Sequence, residues 1–320
     1  MMNRRAFVTG LATLVAVPLV AEAQQAGNTY RVGWLASAPV PENLHAFRDG
    51  LRALGYVEGT NLVIDLRYAA GKKPLAAVAA EILESRPAVI VTDGSVAAIA
   101  VKANGAAIPV VFVSGDPIGM GLVPSLSRPG GNLTGLALIS TELNVKRLGL
   151  LKEAFPNVSR LGILYEARQA KLMIPPIDAG ARSLGLSVTH LEVRDVEDIE
   201  PAFAAALRKH VEAVMPLSSA LLDAEKQRLV MLAEKHRLPA IYEHRPFPEA
   251  GGLMSYGPDI QELFRRAASY VDRIRKGTRP AELPVEQATK FELVINLRTA
   301  NSLGVSIPQS VLLRADQVLE

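Results

Sequence analysis

The sequence predicts an α/β protein built from two similar lobes, each with a parallel β-sheet between helices. From Tyr30 onward, short apolar runs alternate with helical patterns, which is typical of repeated strand–helix units. Hydrophobic residues make up 49% of the chain and aromatic residues only 5%, so the apolar content is mostly aliphatic. Aliphatic strands suit a parallel sheet that helices cover on both faces. The 320 residues are enough for two domains of ordinary size.

The first half of the chain establishes the order of these units. Residues 31–36 (RVGWLA) predict a strand, and residues 42–54 predict an amphipathic helix that ends at Gly55. The later strands of this half are expected at residues 62–68, 88–91 and 109–113. Helical patterns lie between them, so each strand is predicted to run parallel to the one before it.

The second half repeats the same order. Residues 160–165 (RLGILY) correspond to RVGWLA, and residues 213–216 correspond to the strand at 88–91. The segment LPAI at 238–241 corresponds to IPVV at 108–111. Corresponding segments lie about 130 residues apart in the sequence, which is roughly the size of one domain. The sequence therefore predicts two Rossmann-like lobes of similar topology.

One helix and one strand remain after two complete lobes. Residues 259–276 predict a helix that no strand follows directly, and residues 291–295 predict a further strand. We infer that the chain crosses between the lobes several times, and such crossings form a hinge. The predicted division is residues 30–138 plus 257–280 for the first lobe and 139–256 plus 281–320 for the second.

Residues 1–23 (MMNRRAFVTGLATLVAVPLVAEA) predict a cleaved secretory signal peptide. Arg4 and Arg5 precede an apolar stretch, which ends in the small-x-small cleavage pattern AEA. The stretch is shorter than the roughly 20 residues that span a bilayer and contains Pro18. Paired arginines leave both Sec and Tat export open. We expect a periplasmic protein, secreted across the inner membrane, and no lipid anchor, because the chain has no cysteine.

Ligands of open parallel sheets bind beyond the carboxyl ends of the strands, so two facing sheets would share one cleft. Serines at the starts of helices favour an anion such as a carboxylate, although they also serve as plain helix caps. Asp116 could face an ammonium group or cap a turn, and the tyrosines could enclose an apolar side chain or belong to the core. The predicted ligand-binding residues are Ser37, Gly94, Ser95, Asp116, Ser140, Tyr165, Ser218, Ser219, Tyr242 and Tyr256.

Five long blocks, in order, resemble a known family. They are FRDGLRALGYVEGTNLVIDLRYA (47–69), IPVVFVSGDPIGMGLVPSLSRPGGNLTGL (108–136), HRLPAIY (236–242), EAGGLMSYGPDI (249–260) and LPVEQATKFELVINLRTANSLGVSIPQSVLLRADQVLE (283–320). Together they resemble the ABC transporter substrate-binding family of the TrpX type. The resemblance implies a periplasmic binding protein type I fold with three crossings. It also implies delivery of a small-molecule ligand to a membrane permease, and members are linked to aromatic amino acids.

The resemblance also implies which loops line the cleft. By the family pattern these are the loop that contains Asp116 and the segment 255–256. Two stretches depart from the pattern: residues 165–167 (YEA) stand where many relatives carry Asn-Pro, and residues 217–219 (LSS) replace a more acidic stretch. Both departures lie at predicted ligand-facing strand ends, so the family does not identify the ligand of this chain.

The sequence lacks the motifs of several other functional classes. It has no nucleophile elbow, no HExxH motif and no phosphate-binding loop, and its five histidines are scattered. We therefore expect no enzyme activity, no metal and no cofactor. The net charge is only +3 and no lysine or arginine run stands out, so we expect no nucleic-acid partner.

The functional prediction is an exported solute-binding protein that captures a small ligand between its lobes and delivers it to an ABC importer. The expected ligand is an amino acid, and the resemblance suggests an aromatic one. The expected oligomeric state is a monomer. One alternative is a binding protein that feeds a chemoreceptor or a sensor kinase. Another is a carrier for an organic acid or amide. Nothing in the sequence separates a permease partner from a sensor partner.

Overall fold

The computed structural model describes residues 29–69, 73–105 and 107–320. The predicted signal peptide, residues 1–23, lies outside the described residues. The strands are β1 (Tyr30–Ala36), β2 (Leu62–Tyr68), β3 (Val89–Asp93), β4 (Val110–Ser114), β5 (Leu133–Ala137), β6 (Arg160–Glu166), β7 (Ser187–Val193), β8 (Ala213–Pro216), β9 (Ile241–Tyr242), β10 (Met254–Gly257), β11 (Glu286–Gln287), β12 (Glu292–Asn296) and β13 (Gln317–Leu319). The helices are α1 (Pro41–Ala53), α2 (Leu75–Glu84), α3 (Ser95–Ala103), α4 (Ser140–Ala154), α5 (Ala170–Ser183), α6 (Ile199–Arg208), α7 (Ala220–Ala224), α8 (Lys226–Lys235), α9 (Pro246–Glu249), α10 (Ile260–Arg275), α11 (Leu297–Leu303) and α12 (Gln309–Leu312).

The first lobe is built on a six-stranded sheet in the order β11-β5-β4-β3-β1-β2. All its strand pairs are parallel, as the alternation of strands and helices predicts. Helices α1 and α10 cover one face and helices α2 and α3 cover the other. On the first face Trp34 packs between Phe47 and Phe264, with ring centroids 5.4 and 5.3 Å away. Burial on both faces explains why β3, β4 and β5 are apolar throughout most of their length.

The second lobe contains the parallel strands β7-β6-β8 and a four-stranded sheet in the order β13-β12-β10-β9. A bridge between Val214 and Ala240 connects the two groups of strands. Helices α4, α5, α11 and α12 pack on one face, and helices α6 to α9 pack on the other. Strand β12 runs antiparallel to β10, whereas the sequence predicts only parallel strands. The difference arises because the chain enters β12 directly from the first lobe, with no helix to reverse its direction.

The chain passes between the lobes three times. The crossings are residues 138–139, between β5 and α4; residues 258–259, between β10 and α10; and residues 288–291, between β11 and β12. Ile139 in the first crossing has a φ of 52°, a left-handed conformation that β-branched residues rarely adopt. The third crossing comes later than predicted, because β11 pairs with β5 in the first sheet. Residues 281–287 therefore lie with the first lobe and not with the second.

Candidate functional site

A cavity lies between the two lobes, with a volume of about 640 Å³ that includes the solvent at its mouth. The carboxyl ends of β1, β3 and β4 form its first-lobe wall, and those of β6, β8 and β9 form its second-lobe wall. This is where open parallel sheets hold ligands. The lining residues are Ser37, Asp93, Gly94, Ser95, Val96, Val113, Gly115, Leu138, Ser140, Asn144, Glu166, Gln169, Met173, Leu217, Ser218, Ser219, Ala220, Asp223, Glu243 and Ile260.

Six of the ten predicted ligand-binding residues line this cavity. They are Ser37, Gly94, Ser95, Ser140, Ser218 and Ser219. Ser95 is the first residue of α3, and its hydroxyl lies 2.7 Å from the hydroxyl of Ser114 at the end of β4. The Ser219 hydroxyl accepts a hydrogen bond from the backbone N–H of Leu222, so Ser219 caps α7. Helix capping is the alternative that the sequence analysis gave for these serines. Contact of these six residues with a ligand stays a prediction.

The tyrosines at the predicted strand ends do not line the cavity. Tyr242 is 1% exposed and stacks on Phe247, with ring centroids 4.4 Å apart. Tyr165 is buried in the second-lobe core, and its ring meets the edge of His190. In both cases the next residue along the chain, Glu166 or Glu243, lines the cavity instead. Neighbouring strand residues point to opposite faces, so the residue that directly follows each predicted tyrosine faces the cavity.

Asp116 and Tyr256 also lie outside the cavity wall. The Asp116 carboxylate accepts hydrogen bonds from the Gly119 backbone N–H (2.8 Å) and from the Thr141 hydroxyl (3.3 Å), so it caps a turn. Lys146 Nζ donates to the Tyr256 hydroxyl (3.0 Å) and lies 5.4 Å from the centre of its ring. The structure therefore assigns Asp116 the role that the sequence left as its alternative.

The acidic residues of the wall are not among the ten predicted ligand-binding residues. Asp93 accepts a hydrogen bond from Asn43 Nδ2 (3.0 Å), and burial raises the pKa of Asp93 to about 6. Burial also raises the pKa of Glu166, although the positive charge of Arg168 and a hydrogen bond from Ser219 act against it. Carboxyl groups with pKa values shifted in this way are typical of functional sites.

Asp223 is the most strongly shifted of these carboxyl groups. Burial raises its pKa well above the ordinary value, and a hydrogen bond from Ser218 offsets this only in part. The negative charges of Glu243 and Asp93 raise the pKa further, whereas Lys226 lowers it. Asp93 belongs to the first lobe and Asp223 to the second, so the two carboxyl groups interact across the cleft.

Glu243 differs from the other acids because it has a cation of its own. Arg147, which is completely buried, donates to Glu243 (2.9 Å) and to the backbone carbonyl of Tyr256 (2.8 Å). Ser140 donates its hydroxyl proton to the second Glu243 oxygen (2.7 Å). Burial alone would raise the pKa of Glu243, but Arg147 and its other neighbours hold the pKa below the ordinary value. The ion pair connects α4 to the strands behind the cavity.

Ser218 forms a cluster with His244 and Asp223 whose geometry differs from that of a hydrolase. The Ser218 hydroxyl lies 2.8 Å from Asp223 Oδ2, to which it donates, and 2.9 Å from His244 Nε2. In a catalytic triad the imidazole stands between the nucleophile and the carboxylate. Here the hydroxyl stands between the carboxylate and the imidazole, so the order of the three groups is not that of a triad.

Within residues 29–69, 73–105 and 107–320, no three His, Cys, Asp or Glu side chains are grouped closely enough to hold a metal ion. No helix in the same ranges has both the length and the apolar character needed to cross a lipid bilayer.

Comparison with known sequences agrees with this arrangement. A family model described as ABC transporter substrate binding protein matches residues 39–319. One relative is named tyrosine-binding protein and comes from Clostridioides difficile (strain R20291). It is 23% identical over 264 residues, which cover 81% of this chain and 75% of that protein.

Two solved structures are similar over nearly the whole described chain. A conserved domain protein from Vibrio cholerae has a TM-score of 0.83 and 28% identity, covering 91% of this chain and 100% of the other. An ABC domain from Streptococcus pneumonia, solved in complex with L-Trp, has a TM-score of 0.80 and 25% identity over the same shares. The fold is thus that of solute-binding proteins with two lobes.

Proposed function

This chain belongs to the ABC transporter substrate-binding protein family, and we propose that it captures an amino acid between its lobes and delivers it to an ABC importer. The observation that supports this most is the cavity itself, which both lobes line with strand-end residues. The relatives named as a tyrosine-binding protein and an L-Trp complex support an amino acid as the ligand class. Binding without catalysis, export to the periplasm and the permease partner belong to the same proposal.

The first lobe offers a place for the ligand carboxylate. Gly94, with a φ of 90°, turns the chain from β3 into α3, whose first residue is Ser95. The first N–H groups of a helix have no partner within it, and the helix dipole favours negative charge there. With the Ser37 and Ser95 hydroxyls on the same wall, this end of the cavity suits a carboxylate. The carboxylates of the cavity wall then suit the ammonium group.

The hinge supplies the mechanism of capture. Three crossings connect the lobes, and Lys226 on α8 of the second lobe forms an ion pair with Glu42 on α1 of the first lobe, at 2.6 Å. We infer that the lobes open for ligand entry and close over it. For closure to follow binding, the ligand must have higher affinity for the closed form.

A thermal-shift panel tests the proposed function. The purified protein is freed of carried-over ligand with denaturant, refolded, and heated with each of the twenty L-amino acids, organic acids and amides. A true ligand stabilises the folded state by about 2.7 kcal/mol at a hundredfold excess over its Kd. We expect at least one amino acid to raise the melting temperature. A shift with an organic acid or amide but with no amino acid would contradict the proposal.

A further inference from the structure

We propose that the amino acid bound in this cleft carries a net positive charge, as lysine, ornithine and arginine do, and that the carboxyl groups of the cleft hold its side-chain cation. This inference rests on the proposed function, because it names the ligand class of the same cavity.

The first argument is the charge of the wall. Four carboxyl groups line the cavity, those of Asp93, Glu166, Asp223 and Glu243, and the described lining contains no lysine, arginine or histidine. Glu243 is neutralised by Arg147, at 2.9 Å. Within the described ranges the other three form no ion pair with a protein side chain. An ordinary amino acid brings one ammonium group to them, whereas a basic amino acid brings a second cation.

The second argument is a set of buried hydrogen-bond acceptors. Glu166 Oε2, Gln169 Oε1 and Asp223 Oδ1 accept no hydrogen bond from the described part of the chain. Each residue is at least nine-tenths buried and lines the second-lobe wall. Gln169 Nε2 donates to the Ser218 carbonyl at 2.6 Å and not to Glu166 Oε2 or Asp223 Oδ1. An ammonium group has three donors and a guanidinium five, so either would satisfy this group of acceptors.

The third argument connects charge to closure. Asp93 ends β3 in the first lobe and Asp223 lies on α7 in the second, and the negative charge of Asp93 raises the pKa of Asp223. Closing the cleft brings these like charges together, which by itself opposes closure. A cation between them removes the repulsion in the closed form alone. A cationic ligand therefore has the higher affinity for the closed form that capture requires.

The residue types of the apolar wall suit a ligand with an aliphatic side chain. Its apolar members include Val96, Leu138, Met173 and Leu217, and no Phe, Tyr or Trp of the described residues lines the cavity. A tyrosine or tryptophan ligand would find no ring to stack on in this wall. The methylene groups of lysine or arginine pack well against aliphatic side chains. A metal ion does not fit, because no suitable cluster of ligands occurs in the described residues.

Isothermal titration of the purified protein with charged and neutral analogues tests this inference. The pairs are L-arginine with L-citrulline and L-lysine with L-norleucine, together with L-tyrosine and L-tryptophan. We expect at least one basic amino acid to bind more than about tenfold tighter than its neutral counterpart. Binding of tyrosine, tryptophan or norleucine in preference to the basic amino acids would overturn the inference and leave the proposed function standing. Binding of none of the six would overturn the inference, and binding of no amino acid in the thermal-shift panel would overturn both.

Two isosteric variants locate the cation site. Glu166→Gln and Asp223→Asn each remove one carboxyl group, and each should weaken binding of the basic ligand at least tenfold, with little change for neutral analogues. The matched control is Glu192→Gln, which removes the same charge from β7, outside the cavity. Melting temperatures show whether each variant folds. Unchanged affinity for the basic ligand in both folded variants would overturn the assignment of the site.

Discussion

The Asp93 carboxyl group makes the stability of the folded chain depend on pH. Asp93 is 5% exposed, and its one hydrogen bond comes from Asn43 in the described structure. Burial raises its pKa from the ordinary 3.8 to about 6, and Asn43 acts in the opposite direction. The folded chain therefore holds this proton more tightly than the unfolded chain. As a result, the free energy of unfolding falls as the pH rises through this window.

Asp93→Asn removes this ionisation and keeps the shape of the side chain. We expect the free energy of unfolding to rise at pH 7.5 by up to about 3 kcal/mol, because a tenfold change in an acid dissociation constant corresponds to about 1.4 kcal/mol. Near pH 4 the variant and the parent should differ little. Urea unfolding at the two pH values measures this, with the exposed Asp49→Asn as the control. An equal gain at both pH values would contradict the account.

For two carboxyl groups of the wall, those of Glu166 and Glu243, one physical cause explains why the neighbouring tyrosine was predicted to bind the ligand instead. Tyr165 and Glu166 are neighbours at the end of β6. The alternation of faces along the strand directs Tyr165 into the core and Glu166 into the cavity. At the end of a strand the chain turns, so periodicity no longer fixes which of two neighbours points inward. Tyr242 and Glu243 pose the same problem next to a strand of two residues. The loops of the site could be predicted from the sequence, but the direction of each side chain could not.

At the scale of the helices and strands, the buried Arg147–Glu243 pair connects α4 to the end of β9. Three acceptors surround the guanidinium, among them Asn144 Oδ1 and the Tyr256 carbonyl oxygen. Taking both charges out of water is costly, so the pair contributes little net stability. Removing only one of the two partners, in contrast, leaves a buried charge without compensation.

Arg147→Met should therefore lower the free energy of unfolding by about 3–5 kcal/mol. The double variant Arg147→Met with Glu243→Leu should lose less than the sum of the two single variants, since it leaves neither charge unpaired. Urea unfolding of all three variants gives the coupling energy. A loss below about 1 kcal/mol in Arg147→Met, or strict additivity in the double variant, would show that the pair is not the connection described.

At the scale of the whole molecule, two lobes, their order of elements and a hinge could be predicted from the sequence. The alternating apolar and helical patterns are long enough to locate β1 to β4, β6 and β8 closely, whereas β5 and β7 were not predicted as strands. The last part of the fold could not be predicted, because β11 has only two residues and pairs far from its neighbours in sequence. That short strand determines the position of the third crossing and the entry of the antiparallel strand β12.

The contact between Glu42 and Lys226 predicts how closure responds to a surface change. This pair joins α1 to α8, and its side chains are 41% and 17% exposed. Pairs of this exposure contribute about 0.2–1 kcal/mol. Glu42→Gln should therefore weaken ligand binding by less than about fivefold, mainly through faster dissociation. Stopped-flow fluorescence measures the rates, and Glu81→Gln, whose partner Lys73 lies in the same lobe, is the control. A loss larger than twentyfold would indicate direct ligand contact.

Small-angle X-ray scattering tests the central claim most directly, namely that the two lobes close on a ligand between them. The protein is freed of ligand and measured with and without a saturating concentration of the amino acid that gives the largest thermal shift. The account predicts a smaller radius of gyration with the ligand than without it. An unchanged radius of gyration in the parent protein at saturation would contradict it.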